Sequence, residues 1–179
     1  MLFTKYKGFA FDLDGTIYVD DILIDGAAEL VNRLIHSGKR VAFISNKTTG
    51  TIEDYHRILE SGGMDVNVSQ IINSTVVLKK YLRKFYAGRK FFAIGEQVFI
   101  DEISKAGLTF TENPKETDIL LVTLDRTFNY NKLETAAKAL ESGAKFFAAN
   151  IDDTCPVTGG EVLDAGATIS ALEKRTRKK

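Results

Sequence analysis

The sequence has little of what marks the specialised protein classes. Among 179 residues there is one cysteine, Cys155, so neither an internal disulfide nor a thiolate zinc cluster can form. Tryptophan is absent, proline and histidine occur twice each, and there is no internal repeat or low-complexity tract. Net charge is missing too, since 24 Lys+Arg balance 24 Asp+Glu. A balanced chain has no overall pull toward nucleic acid or anionic lipid, so neither is expected as a partner. Long apolar runs are also lacking. The longest, such as Ile119-Leu120-Leu121-Val122, are strand-sized, and no membrane span follows. The start, Met1-Leu2-Phe3-Thr4-Lys5-Tyr6-Lys7, lacks a secretory apolar region with a small-residue cleavage site, which predicts a cytoplasmic protein.

What is present is ordinary globular usage, 44% hydrophobic and 27% charged, enough to bury a real core. Gly8-Phe9-Ala10-Phe11 is an apolar run stopping at Asp12, as expected of a buried strand reaching the carboxyl edge of a sheet. Ala27, Leu30, Val31, Leu34 and Ile35 recur at helical spacing and end at Ser37-Gly38. Arg40-Val41-Ala42-Phe43-Ile44 then repeats the strand pattern, so a parallel βαβ unit is predicted. A helix fits Thr51 to Ser61. After a break near residues 66–75 the alternation resumes: strand at Phe91 to Ile94, helix at Glu96 to Ala106, strand at Ile119 to Val122, helix at Asn131 to Ser142, strand at Lys145 to Ala149. Periodicity leaves open whether this second α/β unit is a separate domain or a continuation of one sheet. The run from Lys174 to Lys179 reads as a solvated tail or helix end.

The chemistry concentrates in Asp12-Leu13-Asp14-Gly15-Thr16, directly after the first strand. Two carboxylates two residues apart, where a strand gives way to a turn, can lean over one spot. Gly15 permits the tight turn, and Thr16 offers a hydroxyl and an exposed backbone N–H. One carboxylate can serve as nucleophile and the other as general acid or base. Paired negative charge calls for a cation, and an oxygen-only donor set suits Mg²⁺. Parallel neighbours deliver their ends to the same sheet edge, so Ser45 and Asn46, after the second strand, can donate to phosphoryl oxygens above Asp12. A loop in which the two aspartates merely cap a turn is the plainer alternative. His36 and His56 read as packing or surface residues, and Cys155 has no nearby histidine to activate it.

Phe11-Asp12-Leu13-Asp14-Gly15-Thr16-Ile17-Tyr18, then Asp25-Gly26-Ala27, then Phe43-Ile44-Ser45-Asn46-Lys47, resemble the first two motifs of the haloacid dehalogenase (HAD) superfamily. More narrowly, the chain resembles the NagD and p-nitrophenyl phosphatase branch (subfamily IIA). The likeness continues through Ala93-Ile94-Gly95, Leu124 to Tyr130, Ala148 to Pro156, Gly159-Gly160 and Asp164 to Ala167. It implies an α/β fold, a HAD-like (Rossmann-like) parallel sheet core with an inserted α/β cap. Residues 1–72 would form the N-terminal part of the core, 73–160 the cap, and 161–179 a return helix to the core. It also implies a Mg²⁺-dependent phosphomonoesterase acting through an aspartyl-phosphate on a small phosphorylated metabolite. Asp12 would be the nucleophile and Asp14 the acid and base. Gly15, Thr16, Ser45 and Asn46 would line the phosphate site, and Asp12 with the Asp14 carbonyl would hold the metal. Asn150 and Asp152 are further candidates for the substrate-facing surface, although an Asn-x-Asp-Asp turn serves equally well.

The chain departs from the branch in ways that bear on activity. The family's third motif, a lysine, and its fourth, an acidic pair, lie beyond the segment that Gly166 to Lys179 resembles. Lys174, Lys178 and Lys179 fall ahead of that lysine. The resemblance therefore implies a core incomplete at its C-terminus, low or no turnover for this chain alone, and a first strand left as a bare sheet edge. A non-catalytic phosphate-binding pseudo-enzyme, or a fragment of a longer phosphatase, is the alternative reading. An uncovered edge and an α/β cap are also compatible with a homodimer. Asp25, where the branch has proline, affects only a turn, and Lys47 replaces asparagine or serine.

Overall fold

The computed structural model describes residues 5–177; the first four residues of the N-terminal segment considered above, and Lys178 and Lys179, lie outside the described residues. The chain forms two compact units, one comprising the chain up to Ser45 with Gly50–Asn73 and Pro156–Gly160, the other comprising Asn46–Thr49, Ser74–Cys155 and the chain from Glu161.

The first unit is built from β1 (Gly8–Asp12), a tight hairpin of β2 (Tyr18–Val19) and β3 (Ile22–Leu23), α1 (Ala27–His36), β4 (Arg40–Ser45), α2 (Ile52–Ser61) and β5 (Ile71–Asn73). Strands β1, β4 and β5 form a parallel sheet in that order, with Asp12 opposite Ile44 and Ser45 opposite Asn73. The hairpin turns on Asp20 and Asp21, both at positive φ, as a two-residue turn between right-twisted strands requires. Helix α2 starts where its sequence says it should. The Thr51 side chain accepts from the Asp54 N–H at 3.2 Å, and the Asp54 carboxylate accepts from the Thr51 N–H at 2.8 Å, so two otherwise orphaned donors are satisfied.

Strand alternation decides the core. Phe9, Phe11, Val41, Phe43 and Ile71 pack with Val31 and Leu34 of α1 and Tyr55 and Leu59 of α2 in one cluster. The alternate residues point the other way, and Ile44 and Ile72 stay 52% and 40% exposed. The first strand is thus not the two-face-buried strand that its apolar run suggested. It stands at the sheet edge with Gly8, Ala10 and Asp12 exposed, because both crossover helices pack on the Phe9 and Phe11 side.

The second unit has its own sheet, which answers the question that periodicity left open. It comprises α3 (Ser74–Tyr86), β6 (Lys90–Ile94), α4 (Gln97–Ser104), β7 (Thr109–Phe110), β8 (Ile119–Val122), α5 (Tyr130–Glu141), β9 (Lys145–Ala148) and, after the strands β10 (Thr154–Val157) and β11 (Gly160–Leu163), which pair with each other and whose Pro156–Gly160 portion falls in the first unit, α6 (Ala165–Thr176). Four parallel strands run in the order β7-β6-β8-β9. Phe91, Ala93, Ile119 and Leu121 face Leu82, Phe99 and Ile103, whereas Phe92, Ile94, Leu120 and Val122 face Ala136, Ala137 and Leu140. With helices on both faces, β8 is buried at every residue, and this is why it reads as an unbroken apolar run. Helix α3 covers a stretch that the sequence reading left unassigned. Its opening Thr75-Val76-Val77 is β-branched, and tertiary packing through the buried Leu82 overrides that weak preference. Helix α6, which the sequence reading assigns to a return toward the core, packs in this structure on α5 and β8. There it buries Leu172, a side chain whose burial contributes about 1.5–3 kcal/mol. Among the described residues no helix is long and apolar enough to cross a membrane.

Candidate functional site

The Asp12 to Thr16 motif is a knotted turn fixed by a buried anchor. Leu13 is completely buried, and its carbonyl accepts the N–H groups of Thr16 at 3.2 Å, Ile17 at 2.8 Å and Tyr18 at 3.2 Å. Gly15 donates its own N–H to the Tyr18 carbonyl at 2.8 Å and takes φ +75°, a conformation open to glycine without strain. The sequence reading expected the Thr16 N–H to face a ligand. It faces Leu13 instead, because closing the turn requires it, while Thr16 as a whole remains exposed.

With Leu13 pointing into the core, Asp12 and Asp14 are left on the opposite side of the chain, Asp12 exposed and Asp14 half-buried. Ser45 ends the adjacent strand β4, is only 3% exposed, and donates its hydroxyl to Asp14 Oδ2 at 3.3 Å. The parallel pairing of β1 and β4 therefore gathers Asp12, Asp14, Gly15, Thr16 and Ser45 at one carboxyl edge, where open α/β sheets bind ligands. Beneath them Tyr18 is fully buried. Burial first, and the neighbouring Asp14 charge second, push its phenol far above the usual tyrosine range, so it stays neutral. The sequence reading missed Asn73, which is 2% exposed and in register with Ser45 at the end of β5. Its signal was an apolar pair followed by a polar residue, too short a stretch for periodicity to register.

The remaining expected residues belong to the second unit. Asn46, next to Ser45 in the chain, donates its amide to the Asp152 carboxylate. Asp152 in turn donates its N–H to Asn150 Oδ1 at 2.8 Å, and Asn150 donates to Asp164 Oδ1 at 2.9 Å. Asn150 is 6% exposed, so both ends of its amide are engaged within the protein. Among the ion pairs of this unit are Glu96 with Arg126 and Asp125 with Lys132. Glu96 accepts from Arg126 Nη2 at 2.9 Å and is held below the usual glutamate range chiefly by that side-chain hydrogen bonding. Asp125, with a side chain only 1% exposed, meets Lys132 at 2.6 Å. The histidines pack as expected: His56 meets the Val66 carbonyl at 2.8 Å, and His36 lies exposed 3.5 Å from Asp65.

The donor chemistry at the β1 and β4 edge suits a hard divalent cation. Asp12 and Asp14 supply carboxylate and carbonyl oxygen, and Mg²⁺ is commonly held by one or two carboxylates together with water and phosphate. Among the described residues no three His, Cys, Asp or Glu side chains converge on one point.

Comparison with known proteins matches this architecture. A family model for haloacid dehalogenase-like hydrolases matches residues 9–109. The sugar-phosphatase AraL of Bacillus subtilis is 33% identical over 172 residues, which cover 96% of this chain and 63% of that protein. The solved p-nitrophenyl phosphatase from Archaeoglobus fulgidus superposes with a TM-score of 0.89 at 28% identity, over 97% of this chain and 66% of that one. NagD from Escherichia coli K-12 gives 0.84 at 28% identity, over 97% and 67%. The chain spans 63% and 65% of the length of the two curated relatives, AraL and an acid sugar phosphatase of Staphylococcus haemolyticus. With the family model matching more than half of its residues and the motif turn and strand order in place, the chain belongs to the haloacid dehalogenase-like hydrolases.

Proposed function

We propose that this chain carries a Mg²⁺-assisted phosphomonoesterase site for small phosphorylated metabolites, in line with the sugar and p-nitrophenyl phosphatases that it resembles. The observation that carries the reading is the Ser45 to Asp14 hydrogen bond, which sets a hydroxyl donor and the two motif carboxylates at one sheet edge. An Asp12 carboxylate oxygen attacks phosphorus as the ester P–O bond breaks, and Asp14 gives its proton to the departing oxygen. Asp14 then takes a proton from water, whose oxygen attacks the aspartyl-phosphate, releasing inorganic phosphate and restoring Asp12. Ser45, whose single hydroxyl hydrogen goes to Asp14 in this structure, turns it to a phosphoryl oxygen when the ester is bound. Asp12 and the Asp14 carbonyl would hold a Mg²⁺, which would supply the neutralising charge that a carboxylate needs to approach an anionic ester.

The test is release of p-nitrophenol from p-nitrophenyl phosphate with and without Mg²⁺, on the chain and on Asp12→Asn. Metal-dependent release, however slow, that vanishes in the variant is expected. Equal background rates in both proteins overturn the reading.

A further inference from the structure

The second unit holds a cavity of about 830 Å³ that the phosphate chemistry leaves unused. Every residue lining it falls within Ser74–Cys155, so the cavity is complete inside one unit. It opens at the amino edge of the four-stranded sheet, where β6, β8 and β9 begin at Lys90, Ile119 and Lys145. Its size lies within the range of small-molecule sites, about 300 to 1,000 Å³.

Two kinds of side chain face it. The last turns of α3 contribute Tyr81, Phe85 and Tyr86. Tyr81 and Phe85 are 43% and 57% exposed, with ring centres 4.8 Å apart, although rings of this size ordinarily bury. Phe147 supports the group from the sheet, 5.9 Å from Tyr81 and 5.6 Å from Tyr86 between ring centres.

The other contribution is basic: Arg89, Lys90, Lys115 and Lys145 line the cavity against two acids, Glu116 and Asp118. The acids are engaged by their neighbours. Asp118 accepts from Arg89 Nη1 at 3.3 Å and from the Lys90 N–H at 2.9 Å, while Glu116 accepts from Lys90 Nζ at 2.5 Å and from Asn113 Nδ2 at 2.8 Å. Among the described residues Lys115 and Lys145 pair with no carboxylate. The Lys145 ammonium lies 5.1 Å from the Tyr86 ring centre and donates to its hydroxyl at 3.3 Å. A chain whose 24 basic and 24 acidic residues balance thus sets four bases against two acids around one aromatic-walled cavity.

We propose that this cavity binds a planar aromatic anion of the nucleotide class, its ring stacked on Tyr81 and Phe85 and its phosphates held by Lys115 and Lys145. Exposed rings accept a base of any identity, because every base has a π-face and stacking removes both surfaces from water. An ammonium is a compact charge that suits a phosphate. The basic surplus disfavours a cationic ligand, and an uncharged ring leaves the two ammonium groups without an anion. The site is separate from the Asp12 edge and does not depend on its chemistry.

The experiment is calorimetry of ADP binding to the chain in EDTA, where no divalent ion supports turnover, with adenosine and inorganic phosphate as separate ligands. A single saturable site with a dissociation constant below about 1 mM is expected for ADP, and adenosine and phosphate are each expected to bind at least about tenfold more weakly. Phe85→Ala is expected to weaken ADP at least about fivefold, the loss of one stack, and Lys145→Gln about three- to tenfold with a shallower salt dependence. Both side chains are exposed, so neither substitution removes core packing. No saturable ADP binding overturns the proposal and leaves the lysines as partners of the carboxyl ends of α3 and α5. Equal affinity for phosphate and ADP overturns it too, as does ADP binding that either substitution leaves unchanged. Binding lost in Asp12→Asn also overturns it, because the ligand would then belong to the β1 and β4 edge.

Discussion

Ser45 and Asp14, which lie 31 residues apart, are joined by a 3.3 Å hydrogen bond between the end of β4 and the turn after β1. The bond joins a buried hydroxyl to a turn that the Leu13 carbonyl closes with three hydrogen bonds. Removing the hydroxyl is expected to weaken Mg²⁺-supported phosphate binding about tenfold, in line with the loss of one hydrogen bond to a charged group. Calorimetry on Ser45→Ala measures this directly, and an unchanged affinity would remove Ser45 from the site.

Gly166, at the start of α6, has no room for a methyl group. An added Cβ would lie 2.3 Å from Asp153 Oδ1 and 2.9 Å from the Asp152 carbonyl oxygen, and the second of these is backbone that cannot swing aside. Gly166→Ala is expected to destabilise the chain by about 1–3 kcal/mol. The urea midpoint reports it. A midpoint equal to that of the parent would mean that the 152–166 contact yields easily.

Glu96 supplies a pH dependence of definite sign. Hydrogen bonding from Arg126 depresses its folded-state value, so the pair stabilises the fold above the unfolded glutamate value of about 4.3. That contribution is lost as pH falls through the lower folded value. Glu96→Gln is therefore expected to be less stable than the parent at pH 7, by roughly 1 kcal/mol, with the gap closing on acidification below about pH 4. Urea melts across that range settle it, and a gap independent of pH would assign the cost to packing.

Much of this molecule is legible one segment at a time. Helix α2 announces itself through Thr51, Asp54 and an apolar stripe ending at Gly62-Gly63, all within one short segment. Strand β8 does so through four consecutive apolar residues, and the Asp12 to Thr16 turn through a motif whose glycine must take positive φ. In each case the determining interactions are local, so composition and spacing carry them.

Other features have no local signature. That Ile44 and Ile72 lie exposed while Phe43 and Ile71 are buried depends on which face α1 and α2 choose, and their apolar stripes do not encode that. Asn73 reaches the site edge only through its register with Ser45. Asn46 meets Asp152 across 106 residues of chain, and Thr48 meets Thr123 across 75. The residue types and their spacing establish the elements and the motif, because hydrophobic periodicity and turn chemistry act over a few residues. Which amide finds which carboxylate, and which apolar face stays open, follow from the packing of distant segments, where shape and hydrogen-bond satisfaction decide.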